Sequence, residues 1–281
     1  NWSGLWMNFN GTAGIWRREA IDDAGGWTDD TLTEDLDLSF RAQFRGWKLR
    51  FVPDVEAPAE IPATVSAFRS QQRRWAKGSS QTFRKHAARL ILDPSLSIGV
   101  KIQGLLHMGG YFIHPLMILM VLSTIPLMFV SSTVVPDEVL LAVSLVTTFA
   151  MIGPSLLYVF GQRALRQDWL RRVLYLPALI ALGMGMAVSN TRAVIEGLVG
   201  VRSPFVRTPK GEVSNQNKGD ARRSVYRLPI DATLTLEIVA MIYSWTAVVL
   251  ALFLAKFHLI PFVILLDRKS TRLNSSHVCS S

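Results

Sequence analysis

The organisation of the chain follows from residues 65–92, VSAFRSQQRRWAKGSSQTFRKHAARLIL. This stretch predicts one long helix with a basic surface, which begins after a loop spaced by prolines. Residues 1–95 as a whole predict a soluble region of mixed α and β structure. From Leu105 onwards, apolar segments dominate the sequence. The basic helix therefore stands between a soluble region and a series of candidate membrane spans.

The overall composition points in the same direction. Of the 281 residues 49% are hydrophobic, the mean hydropathy is +0.27 and the formal net charge is +9. A basic balance suits nucleic acid, an anionic membrane face or a phosphorylated substrate. Nucleic acid fits least well, because the basic residues stand beside apolar runs and not in a separate polar tract. The single cysteine excludes an intramolecular disulfide framework.

Four short elements are predicted before the basic helix. Leu5–Gly11 alternates and predicts a strand, and Arg17–Ala24 predicts a short helix closed by two glycines. Thr33–Phe44 predicts an amphipathic helix with an apolar face. Lys48–Val52 predicts a second strand, which a proline ends.

The apolar half contains several segments long enough to cross a membrane, since about 20 residues span about 30 Å of hydrocarbon. The predicted spans are residues 111–130, 139–160 and 234–255, followed by a truncated span from residue 259. Together they predict a multi-pass bundle of transmembrane helices.

Basic residues predict the orientation of the bundle. Residues 161–172 and 201–227 are strongly basic, which places both on the cytoplasmic side. The segment between them, about residues 173–200, is therefore predicted to be an interfacial or re-entrant helix. The alternative is a true span over residues 173–188 with one basic loop outside.

The first chemical motif is the acidic start of the predicted helix Thr33–Phe44. Thr31 and Glu34 fit a capping box, and acidic residues in a first turn favour the helix dipole. A functional interpretation is that the start of the helix displays a carboxylate at a cleft, where it can take a proton from a sugar hydroxyl. Asp35 and Asp37 also imitate a metal-binding DxD pair, but their position at the start of an amphipathic helix argues against that role.

The second motif lies on the basic helix and consists of Gln71, Arg74 and Trp75. One interpretation is a helix on the membrane surface whose arginines meet lipid phosphates. The other uses the same chemistry at a site: a guanidinium fork binds a pyrophosphate, and an indole offers a flat face to a sugar ring.

Taken together, the two motifs resemble the family 2 glycosyltransferases of the processive, cellulose synthase-like and mannan synthase-like kind. Thr33-Glu34-Asp35 corresponds to the TED motif, and residues 71–75 correspond to QxxRW about forty residues later. The surrounding sequence segments FNGTAGIWRREAI, GGW and RWAKGS also resemble members of this family. The resemblance extends to about Leu266. The resemblance implies an α/β GT-A domain, of which this chain carries the C-terminal half, followed by the transmembrane bundle.

The resemblance also implies roles for individual residues. Asp35 would be the general base. Trp75 would form the floor of the acceptor site, with Gln71 helping to hold that site, and Arg74 would face the diphosphate. The loop beside the acceptor corresponds to residues 10–12, for which an ordinary turn at a strand end is the alternative. The implied substrate-binding residues are Thr33, Glu34, Gln71, Arg74, Trp75, Asn10, Gly11 and Thr12.

A third motif, FVRTPK at residues 205–210, resembles in part the gating loop that closes over the donor in cellulose synthases. Its residues Phe205, Thr208 and Lys210 are the implied gating residues, while Arg207 and Pro209 depart from the family pattern. The alternative is a solvated basic loop next to the membrane.

The predicted domains are the C-terminal part of a cytoplasmic GT-A domain at 1–95, a membrane region at 96–266 and a non-native tail at 267–281. The donor-binding aspartate and the DxD motif implied by the family do not occur in this sequence, so no metal ligand is predicted in it. Mg²⁺ or Mn²⁺ is implied for the intact enzyme. This fragment alone is expected to be inactive.

The predicted function is that of a membrane-bound, inverting hexosyltransferase. It would transfer a sugar from a UDP- or GDP-linked donor to a growing β-linked polysaccharide, in the inner or plasma membrane with its catalytic part cytoplasmic. The predicted partners are the nucleotide sugar, a polysaccharide or lipid acceptor and membrane lipids, but not nucleic acid. One alternative is a non-processive enzyme that acts on a lipid. Another is a transporter or scaffold, which the scarcity of charges in the spans disfavours.

Overall fold

The computed structural model describes residues 4–52, 55, 57–59, 62, 65–129, 138–139, 153, 155–165, 167–203 and 232–253. The helices discussed below are α1 Arg18–Asp23, α2 Glu34–Phe44, α3 Val65–Leu92, α4 Ile98–Met108, α5 Ile113–Phe129, α6 Trp169–Val173, α7 Leu176–Gly185, α8 Ala187–Val199 and α9 Ala232–Phe253. A 3-10 turn, Gly110–Phe112, joins α4 to α5, and residues 155–165 are also helical.

The chain forms two compact units. The first comprises Asn1–Leu116 with Met186–Thr233, and the second comprises Met117–Gly185 with Leu234–Ser281. The first unit holds α1 to α4 and α8, and it contains both sequence motifs. The domain boundaries predicted from the sequence are a separate matter from these two units, and they stay predictions.

Helix α3 is the central element of the first unit. Its 28 residues give it a length of about 42 Å. Helix α2 and helix α4 pack against it, and so does α8. The contact with α8 is very close, because a Cβ added at Gly197 would lie 2.6 Å from the carbonyl oxygen of Lys77. Small residues on both helices, Ser80 on α3 and Ala193 on α8, are fully buried there.

The apolar face predicted for α2 is confirmed. Leu36 and Phe40 are buried in one cluster with Leu90 of α3 and Met108 of α4. Phe44 packs against the same cluster. The burial of these side chains holds α2 to the other two helices, since apolar area removed from water stabilises the fold by about 25 cal/mol per Å².

The predictions for helices in the first unit agree closely with the structure. The basic helix spans Val65–Leu92 as predicted, and α1 and α2 each lie within one residue of the predicted bounds. Two glycines close α1: the amide of Gly26 donates to the carbonyl of Ile21 at 2.8 Å. Gly26 has φ +76°, a conformation that glycine adopts without strain.

Both predicted strands are wrong for the described residues, because neither Leu5–Gly11 nor Lys48–Val52 pairs with another strand. A strand needs a neighbour for its backbone hydrogen bonds. The first segment is held instead by side chains of α2. The Met7 amide donates to Gln43 Oε1 at 3.0 Å, Gln43 Nε2 donates back to the Met7 carbonyl at 2.8 Å, and the Phe9 amide donates to Ser39 Oγ at 2.9 Å.

Within the part of the chain that the structure describes, one helix is long and apolar enough to cross a membrane, at Thr233–Leu250 in α9. Two bent helix pairs would bring the number of spans to three if each pair were one span: Ile98–Met108 with Gly110–Pro126, and Trp169–Gly185 with Ala187–Val199. The second pair overlaps the segment predicted as interfacial or re-entrant, and that interpretation stays a prediction.

Several predictions fall on residues that are not described. The span at 139–160 lies mostly outside the described residues, and the truncated span from 259 lies wholly outside them, as do the tail at 267–281 and the gating residues Phe205, Thr208 and Lys210. The predicted span at 111–130 corresponds to the 3-10 turn and α5, which contains Pro126. A complete transmembrane bundle therefore stays a prediction.

Candidate active site

The acidic motif forms the first turn of α2, but not through a capping box. The helix begins at Glu34 and its N-cap is Thr33, whose side chain makes no capping hydrogen bond. The capping box predicted for Thr31 and Glu34 is therefore wrong. The reason is that the Thr33 side chain is buried against α3: a Cβ at Gly78 would lie 2.5 Å from Thr33 Cγ2.

Asp35 is the motif residue whose carboxylate lies beside an open loop. The amide of Leu36 donates to Asp35 Oδ1 at 2.8 Å, and a Cβ added at Gly11 would lie 2.9 Å from Asp35 Oδ2. Burial raises the pKa of Asp35, and the Leu36 hydrogen bond and the positive charge of Arg74 only partly oppose this effect. A carboxylate with a raised pKa holds a proton more readily, as a general base must.

The loop at residues 10–12 borders this carboxylate and is exposed. Gly11 has φ +73°, which a side chain at this position would strain in addition to its clash with Asp35. The loop is tied down from one side: Asn8 Nδ2 donates to Asn10 Oδ1 at 2.6 Å, and Asn8 Oδ1 is 2.6 Å from His107 Nε2 of α4. The sequence alone does not indicate that Asn8 and His107 hold this loop.

The second motif occupies the N-terminal half of α3. Trp75 is 40% exposed although its neighbour Ala76 is fully buried, so the indole is not core packing. The charge of Arg74 acts on Asp35, as noted above. Thr33 lies against Gly78. Asp35 follows Thr33 by two residues, and Trp75 precedes Gly78 by three. The α-carbons of Asp35 and Trp75 therefore lie within about 20 Å of each other.

The remaining described residues of the two motifs are at least partly exposed. Gln71 is half-buried on α3 and Glu34 is exposed at the start of α2. The neighbour of Gln71, Gln72, accepts a hydrogen bond at 2.9 Å from the hydroxyl of Tyr111. The contacts that bring the two motifs together are those of Thr33 with Gly78 and of Asp35 with Gly11 and the charge of Arg74.

Asp37 does not form a metal-binding pair with Asp35. Its carboxylate is fully buried and accepts hydrogen bonds or ion pairs from Arg41, Lys85 and His86 at 2.7 to 2.9 Å. Burial alone would raise the pKa of Asp37, but these three donors outweigh it and hold the pKa far below the ordinary value. Among the described residues, no group of three or more potential metal ligands is assembled.

A second ion cluster joins α3 to α8 and was not found from the sequence. The carboxylate of Glu196 forms salt bridges with Lys77 at 3.0 Å, with Arg73 at 3.4 Å and with Arg192 at 2.9 Å. Lys77 also donates to Ser203 Oγ at 2.5 Å, although its side chain is almost completely buried. The only signal in the sequence is the i,i+4 spacing of Arg192 and Glu196.

This arrangement and the sequence lead to the same class of protein. Residues 6–186 match the family described as glycosyl transferase family group 2, and the chain belongs to that family. Within it, the chain is a cellulose synthase-like, mannan synthase-like member. Membership implies a GT-A fold.

The curated relatives that match include plant enzymes. The chain is 44% identical over 97 residues to glucomannan 4-beta-mannosyltransferase 1 of Oryza sativa subsp. japonica, a match that covers 34% of this chain and 19% of the relative. It is 45% identical over 96 residues to glucomannan 4-beta-mannosyltransferase 2 of Arabidopsis thaliana, covering 34% of this chain and 18% of the relative. The chain thus spans less than a fifth of the length of these relatives. No solved structure matches the chain.

Proposed function

We propose that this protein is an inverting glycosyltransferase that transfers a hexose from a nucleotide sugar to the growing end of a β-linked polysaccharide at a membrane. Asp35 is the general base, Arg74 faces the diphosphate and Trp75 carries the acceptor sugar. The named activity of the relatives favours a mannosyl donor and the 4-hydroxyl of the acceptor sugar.

The observation that carries the proposal is the setting of Asp35. Its carboxylate lies against the exposed loop at Gly11, with a raised pKa, within reach of the charge of Arg74. A base needs access to its proton donor, and a glycine loop leaves space for a sugar hydroxyl beside Oδ2. A cation nearby is suited to a leaving diphosphate.

In the proposed reaction, Asp35 accepts the proton of the acceptor hydroxyl while the hydroxyl oxygen attacks the anomeric carbon. The bond to the diphosphate breaks on the opposite face, which inverts the anomeric configuration. The guanidinium of Arg74 stabilises the charge that develops on the leaving group. The exposed indole of Trp75 fixes the acceptor ring by stacking, which is an orientation effect.

Members of this family generally use a divalent metal ion. Such an ion would offset the negative charge on the leaving diphosphate. The described residues do not fit that role, because the Asp37 carboxylate is already bound by Arg41, Lys85, His86 and Thr28, and no group of three or more potential metal ligands is assembled among them. The residues that the structure describes therefore take part in the transfer reaction without a metal ion bound to them.

The test is a transfer assay on membranes that contain the full-length protein, with labelled GDP-mannose and UDP-glucose offered separately. Asp35→Asn is expected to lower the transfer rate about a thousandfold, within the range of roughly a hundredfold to ten-thousandfold that general-base catalysis contributes. Donor binding, measured by photolabelling, is expected to stay within about twofold because the side chain keeps its size.

The matched control is Asp22→Asn, which removes a carboxylate from an exposed pair with Arg18 at 3.6 Å. It should transfer at the wild-type rate. If Asp35→Asn retained the wild-type rate, Asp35 would not be the base and the proposed function would fail. A product of one sugar on a lipid, in place of a polymer, would support the non-processive alternative.

A further inference from the structure

The strongest unassigned feature is the carboxylate of Asp37, which is fully buried and receives four donors. Its Oδ2 accepts from Arg41 Nε at 2.7 Å and from Thr28 Oγ1 at 3.0 Å. Its Oδ1 lies 2.7 Å from His86 Nε2 and 2.9 Å from Lys85 Nζ. The carboxylate therefore has the hydrogen bonds that a buried charge requires.

These donors come from three separate parts of the first unit. Arg41 belongs to α2, Thr28 to the loop before it, and Lys85 and His86 to α3. Two of the donors extend the cluster: Lys85 pairs with Asp30 at 2.6 Å, and Arg41 also donates to the carbonyl of Ala24. A single side chain of α2 is thus tied to α3 and to the loop at 24–30.

Asp37 and Asp35 point to different sides of α2. Successive helical residues are about 100° apart, so two residues separate the side chains by about 200° around the axis. A side chain lies about 5 Å from the helix axis, so a rotation of α2 by about 20° would move the Asp35 carboxylate by about 2 Å. Functional groups need to be held within about 0.5 Å of the productive geometry.

We propose that Asp37 is a positioning residue. Its buried carboxylate fixes the rotation of α2 against α3 and so holds the carboxylate of Asp35 beside Gly11. The catalytic part of this inference rests on the proposed function, because it takes Asp35 as the base. The geometric part does not depend on any activity, so the two can fail separately.

The geometric part is tested by disulfide formation between residues 11 and 35. A Cβ at Gly11 would lie 3.9 Å from the Cβ of Asp35, within the range of about 3.5–4.5 Å that a disulfide needs. The pair Gly11→Cys and Asp35→Cys is placed in a Cys279→Ser background, since Cys279 is the one cysteine in this sequence. Crosslinking with copper–phenanthroline is followed by thiol labelling and mass spectrometry.

Crosslinking is expected to be at least about fivefold slower when Asp37→Asn is added, because α2 loses its rotational anchor. Lys85→Met removes one donor from a partly exposed position and is the milder variant if Asp37→Asn does not fold. It should slow crosslinking in the same direction. Asp22→Asn is the matched control and should leave the crosslinking rate unchanged.

The catalytic part is tested in protein with Asp35 intact. Lys85→Met is expected to lower kcat about tenfold with the donor KM within about twofold, because donor contacts stay while the base is displaced. The ratio of donor hydrolysis to transfer should rise, since water needs less exact placement than the acceptor. Lys85→Arg keeps the cation and should restore most of the transfer rate.

The outcomes separate the two claims. Unchanged crosslinking in folded Asp37→Asn and Lys85→Met protein would overturn the positioning role. A kcat loss that only follows the fraction of folded protein, with a constant ratio of hydrolysis to transfer, would overturn it as well. Slower crosslinking together with full activity of Asp35→Asn would support the positioning of α2 and refute Asp35 as the base.

Discussion

Gly78 of α3 lies directly against Thr33 at the start of α2. A Cβ at Gly78 would stand 2.5 Å from Thr33 Cγ2 and 2.8 Å from the Thr33 backbone nitrogen. Backbone cannot move aside as the end of a flexible side chain does. This contact sets how closely the turn that carries Asp35 approaches the helix that carries Trp75.

We therefore expect Gly78→Ala to be destabilising. Alanine is favoured over glycine in a helix by about 1 kcal/mol, but overpacking costs about 1–3 kcal/mol and the clash involves backbone. The net expectation is a lower Tm and a transfer rate reduced about tenfold, because the start of α2 shifts. Gly99→Ala is the control: it lies in α4, where the nearest atom is 3.8 Å away, and it should be neutral or stabilising. A Gly78→Ala protein as stable and active as wild type would refute the role of this contact.

The pH dependence of transfer follows from the direction of the Asp35 shift. Burial raises its pKa, and a general base works only when deprotonated. The acid limb of kcat/KM is therefore expected at a pH above the ordinary Asp pKa of 3.8, with activity lost as pH falls through it. The measurement is a pH profile of transfer with the donor below its KM.

Unfolding at acid pH is distinguishable from this limb. The pKa of Asp37 is lowered in the folded protein, so its contribution to stability is present above 3.8 and is lost as pH falls below that value. Tm measured across the same range should not fall where the acid limb of activity appears, because protonation of Asp35, whose pKa is raised, does not destabilise the fold. A Tm that fell together with activity would attribute the limb to unfolding instead.

Trp75→Ala should weaken binding of the acceptor much more than it lowers the stability of the fold. The side chain is 40% exposed and belongs to none of the buried apolar clusters of the described residues, so its removal should destabilise the fold only slightly. Loss of a stacking face worth about 1.4 kcal/mol corresponds to about a tenfold rise in the acceptor KM. Trp75→Phe keeps a flat ring and should lose about threefold or less. Trp27→Ala removes a similarly exposed indole and serves as the control, with no expected change in KM. Equal effects at both positions would argue against an acceptor role for Trp75.

Glu196→Gln should destabilise the contact between α3 and α8. The change leaves Lys77, which is almost completely buried, without its carboxylate partner. Breaking a buried pair from one side costs about 3–5 kcal/mol, and we expect about 2 kcal/mol because Glu196 is partly exposed. Asp168→Asn breaks the exposed pair with Arg172 and should leave the melting temperature nearly unchanged. The measurement is thermal unfolding in detergent; equal shifts for both variants would contradict the expectation.

The double variant Lys77→Met with Glu196→Leu provides a further check. Replacing both partners by apolar groups removes the buried charge together with its counter-charge. This variant should recover most of the stability that Glu196→Gln loses. If it were less stable than Glu196→Gln, the pair would contribute through more than charge compensation.

Local patterns were sufficient for the helices and the motifs. The bounds of α3 follow from its composition, and the apolar face of α2 follows from the spacing of Leu36, Phe40 and Phe44. The strand predicted at Leu5–Gly11 is wrong because alternation does not reveal which groups bind the backbone amides and carbonyls. Here Gln43 and Ser39 of α2 do so, across more than thirty residues of sequence.

Residue type and spacing within single elements were enough to identify the family, the order of the two motifs and the helices that carry them. Three findings required the folded chain: Asp37 is buried among four donors, Lys77 and Glu196 join α3 to α8, and Gly11 borders Asp35. Each of these depends on which side chains meet across distant parts of the chain, and the burial and charge of the partner then determine what each group can do.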